Sequence, residues 1–440
     1  LKTSLLHLFE KIQASAWTIP AICSILAIGL AQMSLWVDGS VEIGKIPILS
    51  QMEGSSPEGL RTFLSTIATS MLAIAGVSFS SIMVTITLAS QQFGPRLLRN
   101  FIKDKFSQTV LGILIGTFIY CLFIIRRTDD VGEQSFVPQI STTVALLLAL
   151  LCLGSFIRFV HHIISKIQAD EVVFDAYQVF ETTIESVFPE PGDRTSEYRL
   201  PDNKLEGWRI ESGESGYVQA VNIETLVEVA RKADLVLETK ARSGDFITRR
   251  QVIAKVIEGP SMDEAEGDLL ASIQNSFFLG PVRTPEQDFE YGIRQLVEVA
   301  LRALSPGIND PFTAMNCIDY LGAGLQSAFS RPLPGSIHRD ENGDVRVFSR
   351  ATSYEAIVEA AVNQIRQASR ERCDVSCRLL EMLAETAKVA HSSEQQRALL
   401  TQAEMILDNT PPALFCKHDC EAIRSRFRYC QEACFLLEAE

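Results

Sequence analysis

Long apolar runs in this chain lie almost entirely before about residue 160, and dense charge lies almost entirely after it. A bilayer core of ~30 Å takes about 20 helical residues, with a range of roughly 17–25. Four runs meet that length: about Trp17 to Val37, Arg61 to Gln91, Thr109 to Ile125 and Val137 to Val160. Pro20 falls in the first turn of the first run, where its missing N–H costs nothing. The pattern predicts a four-helix transmembrane domain over residues 1–163, set in a lipid bilayer. Behind it, a helix of about Ile164 to Phe188 continues from the fourth run. Pro189, Pro191 and Gly192 stop it, and a polar linker runs to about Gly207.

The periodicity then shortens to two. Trp208 to Ile210, Tyr217 to Val221, Leu235 to Ala241 and Val252 to Ile257 read as strands, with Asn222 capping a helix of Ile223 to Ala233 and Ser243-Gly244-Asp245 turning. Residues 164–260 therefore form a cytoplasmic helix and small β-rich domain, and 261–440 a mostly helical cytoplasmic domain. In the latter, Thr284-Pro285-Glu286-Gln287 reads as a helix start, with a hydroxyl cap and proline in the first turn. That helix ends at about Leu304, Asp340 to Asp344 marks a hairpin, and the tail from Ser353 is helical, broken at Pro411-Pro412. The expected fold is thus a membrane protein: a four-transmembrane-helix N-terminal domain plus an α+β cytoplasmic domain with C-terminal helices.

The second run has a polar pattern of its own. At about 30 residues it reaches ~45 Å, so it must tilt or project beyond the bilayer. Thr62, Thr66, Thr69, Ala73, Gly76, Ser80, Met83, Thr87 and Ser90 recur in alternating steps of four and three, which makes one continuous seam. Two readings stay open. Small residues with self-bonded hydroxyls suit a packing face between helices. Alternatively, copies of the helix surround an aqueous path in which a partly dehydrated cation exchanges ligands from ring to ring. Gln91 at the end of the run would then form a polar constriction. No charged residue lies between Arg61 and Arg96, which counts against a proton-coupled pump.

Charge sets the expected orientation. Lys2 and Lys11, then Arg96, Arg99, Lys103 and Lys105, then Arg158 and Lys166 flank one side. The first loop carries Asp38, Glu42, Glu53 and Glu58 against Lys45 and Arg61. Positive flanks stay inside, so both termini are expected in the cytoplasm of a multi-pass protein of the bacterial inner membrane. Arg126 and Arg127 are discordant. Leu97, Leu98, Phe101, Ile102 and Phe106 after Gly94-Pro95 suit either an interfacial helix or an ordinary turn. The first run has no Ala-x-Ala-type cleavage site and reads as a retained anchor.

A net charge of −14 leaves no basic surface for nucleic acid. Of ten cysteines, Cys23, Cys121 and Cys152 sit in apolar runs and most others in C-terminal helices. In a reducing compartment they form no disulfide framework. Cys373 and Cys377, Cys416 and Cys420, and Cys430 and Cys434 are each four apart, with His418 inside the middle pair. That interval shares a helix face. It differs from the Cys-x-x-Cys knuckle of structural zinc sites, so buried thiols are expected, and neither metal nor cofactor. No nucleophile elbow, Walker A loop or His-Glu-x-x-His helix occurs, so no enzyme activity is expected.

Gly244-Asp245-Phe246-Ile247 followed by Val252-Ile253-Ala254-Lys255-Val256 resembles the half-barrel hairpin of biotinyl and lipoyl domains over about 20 residues. The lysine between methionines that a carrier needs is missing. A longer segment is more specific. Arg302-Ala303-Leu304-Ser305-Pro306-Gly307-Ile308-Asn309-Asp310-Pro311-Phe312-Thr313-Ala314 resembles the hallmark of a bacterial family of predicted membrane proteins, domain of unknown function 2254. Ala89-Ser90-Gln91-Gln92-Phe93-Gly94-Pro95-Arg96-Leu97-Leu98 is similar to its second hallmark. The resemblance covers most of the chain and implies membership and membrane topology, with no activity attached. Pro, Gly, Asn and Asp are what a stop and restart between two helices requires. Otherwise, Arg302, Ser305, Asn309 and Asp310 build a polar site at a subunit contact or for a small ligand.

Four spans are few for a path inside one subunit. The expectation is a homo-oligomeric channel passing small monovalent cations through a neutral pore, lined by Thr62, Thr66, Thr69, Gly76, Ser80, Thr87, Ser90 and Gln91. The opposing expectation is a non-transporting scaffold or sensor whose cytoplasmic domain binds a ligand or partner.

Overall fold

The computed structural model describes residues 17–40, 57–94, 104–128, 138–166, 168–190, 207–259, 267–410 and 413–435. Its contacts divide the chain into two units, Leu1–Gln168 and Ala169–Glu440. Much of the sequence that bears on orientation, including 41–56, 95–103 and 129–137, lies outside the described residues, as do the linker at 191–206 and Pro411-Pro412.

Among the described residues the first unit holds four helices, α1 (Thr18–Ser40), α2 (Pro57–Phe93), α3 (Lys105–Thr128) and α4 (Gln139–Lys166). All four are long and apolar enough to cross a membrane. α3 is the central helix: 50% of its most apolar stretch is buried, against 17–22% for the other three. Glycine explains the close approach of α1. A Cβ on Gly112 would lie 2.8 Å from the Cys23 sulfur, and one on Gly116 would lie 3.2 Å from the Cys23 carbonyl oxygen. Gly116 also meets the Ala27 methyl at 3.4 Å, and Ala27 and Ala31 are both buried. Such contacts hold helices together in lipid, where apolar surface gives no drive to associate. Leu64, Ile67 and Met71 of α2 and Ala145, Cys152 and Phe159 of α4 complete the core.

Each end of this bundle is pinned by a carboxylate. Asp38, in the last turn of α1 and 6% exposed, accepts from the backbone N–H groups of Ile140 (2.8 Å) and Ser141 (2.9 Å) and from the Ser141 hydroxyl (2.5 Å). It thus caps the start of α4 from a different helix. Tyr120 donates to the Ser141 carbonyl at 3.0 Å and pairs with Ser34 at 2.9 Å. At the other end Asp104 caps α3 through the Ser107 N–H (3.2 Å) and meets His162 of α4 at 2.9 Å. Trp17 and Trp36 are 68% and 72% exposed near the two ends of α1. At ~1.5 Å per residue their separation is about 28 Å, the thickness of a hydrocarbon core, and exposed tryptophans favour its two interfaces.

In place of one helix continuing past the fourth span, the chain bends at Gln168 and starts α5 (Ala169–Val187). The second unit continues with β1 (Arg209–Glu211), β2 (Gly216–Val221), α6 (Ile223–Lys232), β3 (Val236–Thr239), β4 (Phe246–Ile247), β5 (Val252–Glu258), α7 (Gly267–Gln274) and β6 (Phe277–Gly280). Next come α8 (Glu290–Ala303), α9 (Pro311–Phe329), β7 (Ile337–Arg339), β8 (Val345–Phe348), α10 (Tyr354–Ala368), α11 (Cys373–Ala387), α12 (Ser393–Asp408) and α13 (Lys417–Phe435). Asn222 accepts from the Thr225 N–H at 3.0 Å as the cap of α6.

The strands form a five-stranded sheet, β1-β5-β3-β8-β7, and a three-stranded sheet, β4-β2-β6. β3 and β5 pair antiparallel, but β4 pairs with β2 instead, so the segment that resembles a half-barrel hairpin is divided between two sheets. The expected helix start at Thr284 is also displaced, since α8 begins at Glu290. Gln287 is taken by the edge of β2, where its side-chain oxygen accepts from the Val221 N–H at 2.9 Å. Asp288 is held by Arg283 at 2.5 and 2.7 Å. Beside it, Glu290 pairs with Arg242 and with Arg294, tying the Ser243-Gly244-Asp245 turn to the head of α8. Helices α5, α8 and α9 meet at Phe180, which is fully buried and occupies the room left by Gly292 and Gly324.

Candidate functional site

On α2 the expected pore residues share one placement. Thr62, Thr66, Thr69, Gly76, Ser80, Thr87 and Gln91 are exposed and Ser90 is half-buried. A Cβ on Gly76 would meet nothing within 4 Å. The face that α2 turns to its own bundle is a different one, carrying Leu60, Leu64, Ile67, Ala68, Met71 and Ala75. Among the described residues, then, the seam from Thr62 to Thr87 lies on the outward side of α2. Three of its hydroxyls bond back along the helix: Thr62 donates to the Glu58 carbonyl (2.9 Å), Thr66 to Thr62 (2.8 Å) and Thr87 to Met83 (2.8 Å), as does Ser70 beside the seam to Thr66 (2.7 Å). A hydroxyl bonded back in this way directs only lone pairs outward.

The other outward faces have a different character. α4 exposes Leu146, Leu147, Leu150, Leu151, Ile157 and Ile164, and α1 exposes Ile22, Ile25, Leu26 and Met33. Those are lipid-facing compositions, whereas α2 alternates small and hydroxyl side chains with Leu72, Val77, Phe79 and Val84.

In the second unit the Ser305 to Pro311 segment makes a sharp stop and restart. Ser305 donates to the Arg302 carbonyl at 2.6 Å, and the Asn309 N–H returns to the Ser305 carbonyl at 2.9 Å. Asn309 sits in the left-handed region at φ 53°, a conformation asparagine tolerates better than most residues, and its side-chain oxygen accepts from Arg372 at 2.7 Å. Asp310 caps α9 through the Thr313 N–H (3.1 Å) and hydroxyl (2.5 Å). The Thr313 hydroxyl bond holds the Asp310 carboxyl below its ordinary pKa. Arg302 is engaged as well. These four residues build the turn, and beside the exposed Asn309 it presents two large apolar side chains outward: Ile308 is 45% and Phe312 77% exposed.

Phe312 stands at the rim of an open cleft of about 570 Å³ between the N-terminal turns of α9, α11 and α13, lined also by Asp319, Cys373, Asp374, Cys377, Arg378, His418, Asp419 and Arg426. Arg378 forks onto Asp319 at 2.6 and 2.7 Å, and Arg426 reaches Glu381 at 2.6 Å. The cleft escaped the sequence reading because its three walls come from helices far apart in the chain. The even cysteine spacing was its one trace. Among the described residues, no three His, Cys, Asp or Glu side chains already converge closely enough to hold a metal ion.

Uncharacterized proteins of Mycobacterium bovis and Mycobacterium tuberculosis are each 27% identical to this chain over 406 residues, covering 91% of it and 77% of the relative. No solved structure matches. A family model described as "Predicted membrane protein (DUF2254)" matches residues 13–385. With the four apolar helices and both hallmark segments inside that span, the chain belongs to the DUF2254 family of predicted membrane proteins.

Proposed function

We propose that this chain assembles as a homo-oligomeric membrane channel in which copies of α2 line a neutral path for small monovalent cations. One observation carries the reading: α2 is the longest described helix of the bundle, and its outward side carries a stripe of small and hydroxyl side chains beside Leu72, Val77, Phe79 and Val84, where the outward faces of α1 and α4 are dominated by large aliphatic ones. Lipid gives no reason for that contrast, whereas a water-facing axis does. Back-bonded hydroxyls turn acceptor lone pairs outward, which suits a cation over an anion. On this reading both termini lie on the cytoplasmic side of the inner membrane. The test is conductance of the purified protein in planar bilayers, with Thr69→Leu and Ser80→Leu each expected to lower it at least tenfold. Unchanged currents in both variants, or none from the wild type, remove the channel.

A second reading is favoured by the same hydrogen bonds. Hydroxyls satisfied along their own helix also suit a dry contact between copies, and the C-terminal cleft suits a sensor. That protein would be a non-conducting multimer with a soluble ligand.

A further inference from the structure

We propose that Cys373, Cys377 and His418 form a binding site for a divalent cation of the zinc class in the cleft between α11 and α13. The two sulfurs lie 3.9 Å apart on adjacent turns of α11. With Zn–S bonds of ~2.3 Å, the edge of a tetrahedral site is about 3.8 Å, so the pair already stands at chelating distance. The same geometry disfavours a disulfide. Side chains four apart on a helix keep their Cβ atoms about 5–6 Å apart, while a disulfide needs roughly 3.5–4.5 Å. A helix-held pair of this kind therefore resists closing on itself as a disulfide and remains available as a ligand.

The opposite wall supplies the rest. Cys373 Sγ lies 3.7 Å from the Asp419 carbonyl, which places the first turn of α13 against the thiols. His418 is the residue before Asp419 and is exposed, so its imidazole is free to change rotamer and close the site. The electrostatics agree. Arg378 and Arg426 are held by Asp319 and Glu381, which leaves Asp374 and Asp419 to make the cleft attractive to a cation. The fourth position is left to water or a carboxylate, and the cleft is open enough for the ion to enter.

The experiment uses the full-length protein in detergent with cadmium as the probe, read by thiolate-to-metal charge-transfer absorbance. One equivalent per chain is expected to produce the band. The band is lost in Cys373→Ser/Cys377→Ser and retained in Cys430→Ser/Cys434→Ser. His418→Ala weakens binding at least tenfold. Absence of a band from the wild type, its survival in the first double variant, or unchanged affinity in His418→Ala overturns the site. An independent measurement needs no variant. Zinc is expected to slow alkylation of Cys373 by N-ethylmaleimide at least tenfold, followed by peptide mass spectrometry, and equal rates with and without zinc also overturn it.

Discussion

Phe180 shows how a single side chain sets the spacing of three helices. Its ring occupies the space where a Cβ on Gly324 would stand, and its own backbone and Cβ stand where one on Gly292 would, so α5, α8 and α9 approach more closely than any larger residue permits. Gly324→Ala is expected to force that ring from its position and lower stability by about 1–3 kcal/mol, measured as a fall in the urea midpoint by circular dichroism. Asp310 gives a smaller, pH-dependent effect. Its folded carboxyl is held below the ordinary value of 3.8 by the Thr313 bonds, so its contribution is present above that value and disappears as pH falls through the folded one. Asp310→Asn keeps a capping oxygen without the charge, and its stability should vary less over the acid limb of a denaturation series. The caps at Asn222 and Asp310 were legible in the sequence because a cap is a local device. Thr284 to Gln287 obeyed the same local rule and was misread, because Gln287 and Asp288 answer to Val221 and Arg283, contacts that a linear reading does not contain.

Among the elements, the four membrane helices were the most legible. An apolar run long enough to cross a bilayer has few competing explanations, and all four runs became helices close to their expected bounds. Which helix would be central was not legible. The Gly112-x-x-x-Gly116 pair carried that information and passed without notice beside the more conspicuous seam of α2. Gly116→Val places a branched side chain against the Cys23 carbonyl and should separate α1 from α3, seen as faster proteolysis of the detergent-solubilised protein and loss of a cooperative melt. Sheet order was legible only in part. β2, β3 and β5 were found where alternation placed them, but β6, not anticipated as a strand, draws β2 and β4 into a second sheet. Parallel pairing of β3 with β8 joins strands about a hundred residues apart, a partnership no local period encodes.

For the whole molecule, the question is what covers α2. If copies meet along it, Thr69→Cys should give covalent dimers on mild oxidation in membranes, in a Cys416→Ser background. Leu147→Cys on the α4 face should give none. Both outcomes are read on non-reducing gels, and the reverse pattern would move the interface to α4. A seam of small side chains was visible in the sequence, but its direction was not, since periodicity defines a stripe without saying what faces it.

The tryptophans of α1 have a consequence for the way the bundle senses its surroundings. Trp17 and Trp36 fix that helix at one depth, with ~28 Å between collars. At 37 residues and ~1.5 Å each, α2 is about 55 Å long and cannot match the same slab. A change in acyl-chain length leaves α1 in place and must be absorbed by the lean of α2. Bilayer thickness would then act as a lever on whichever helix face the copies share.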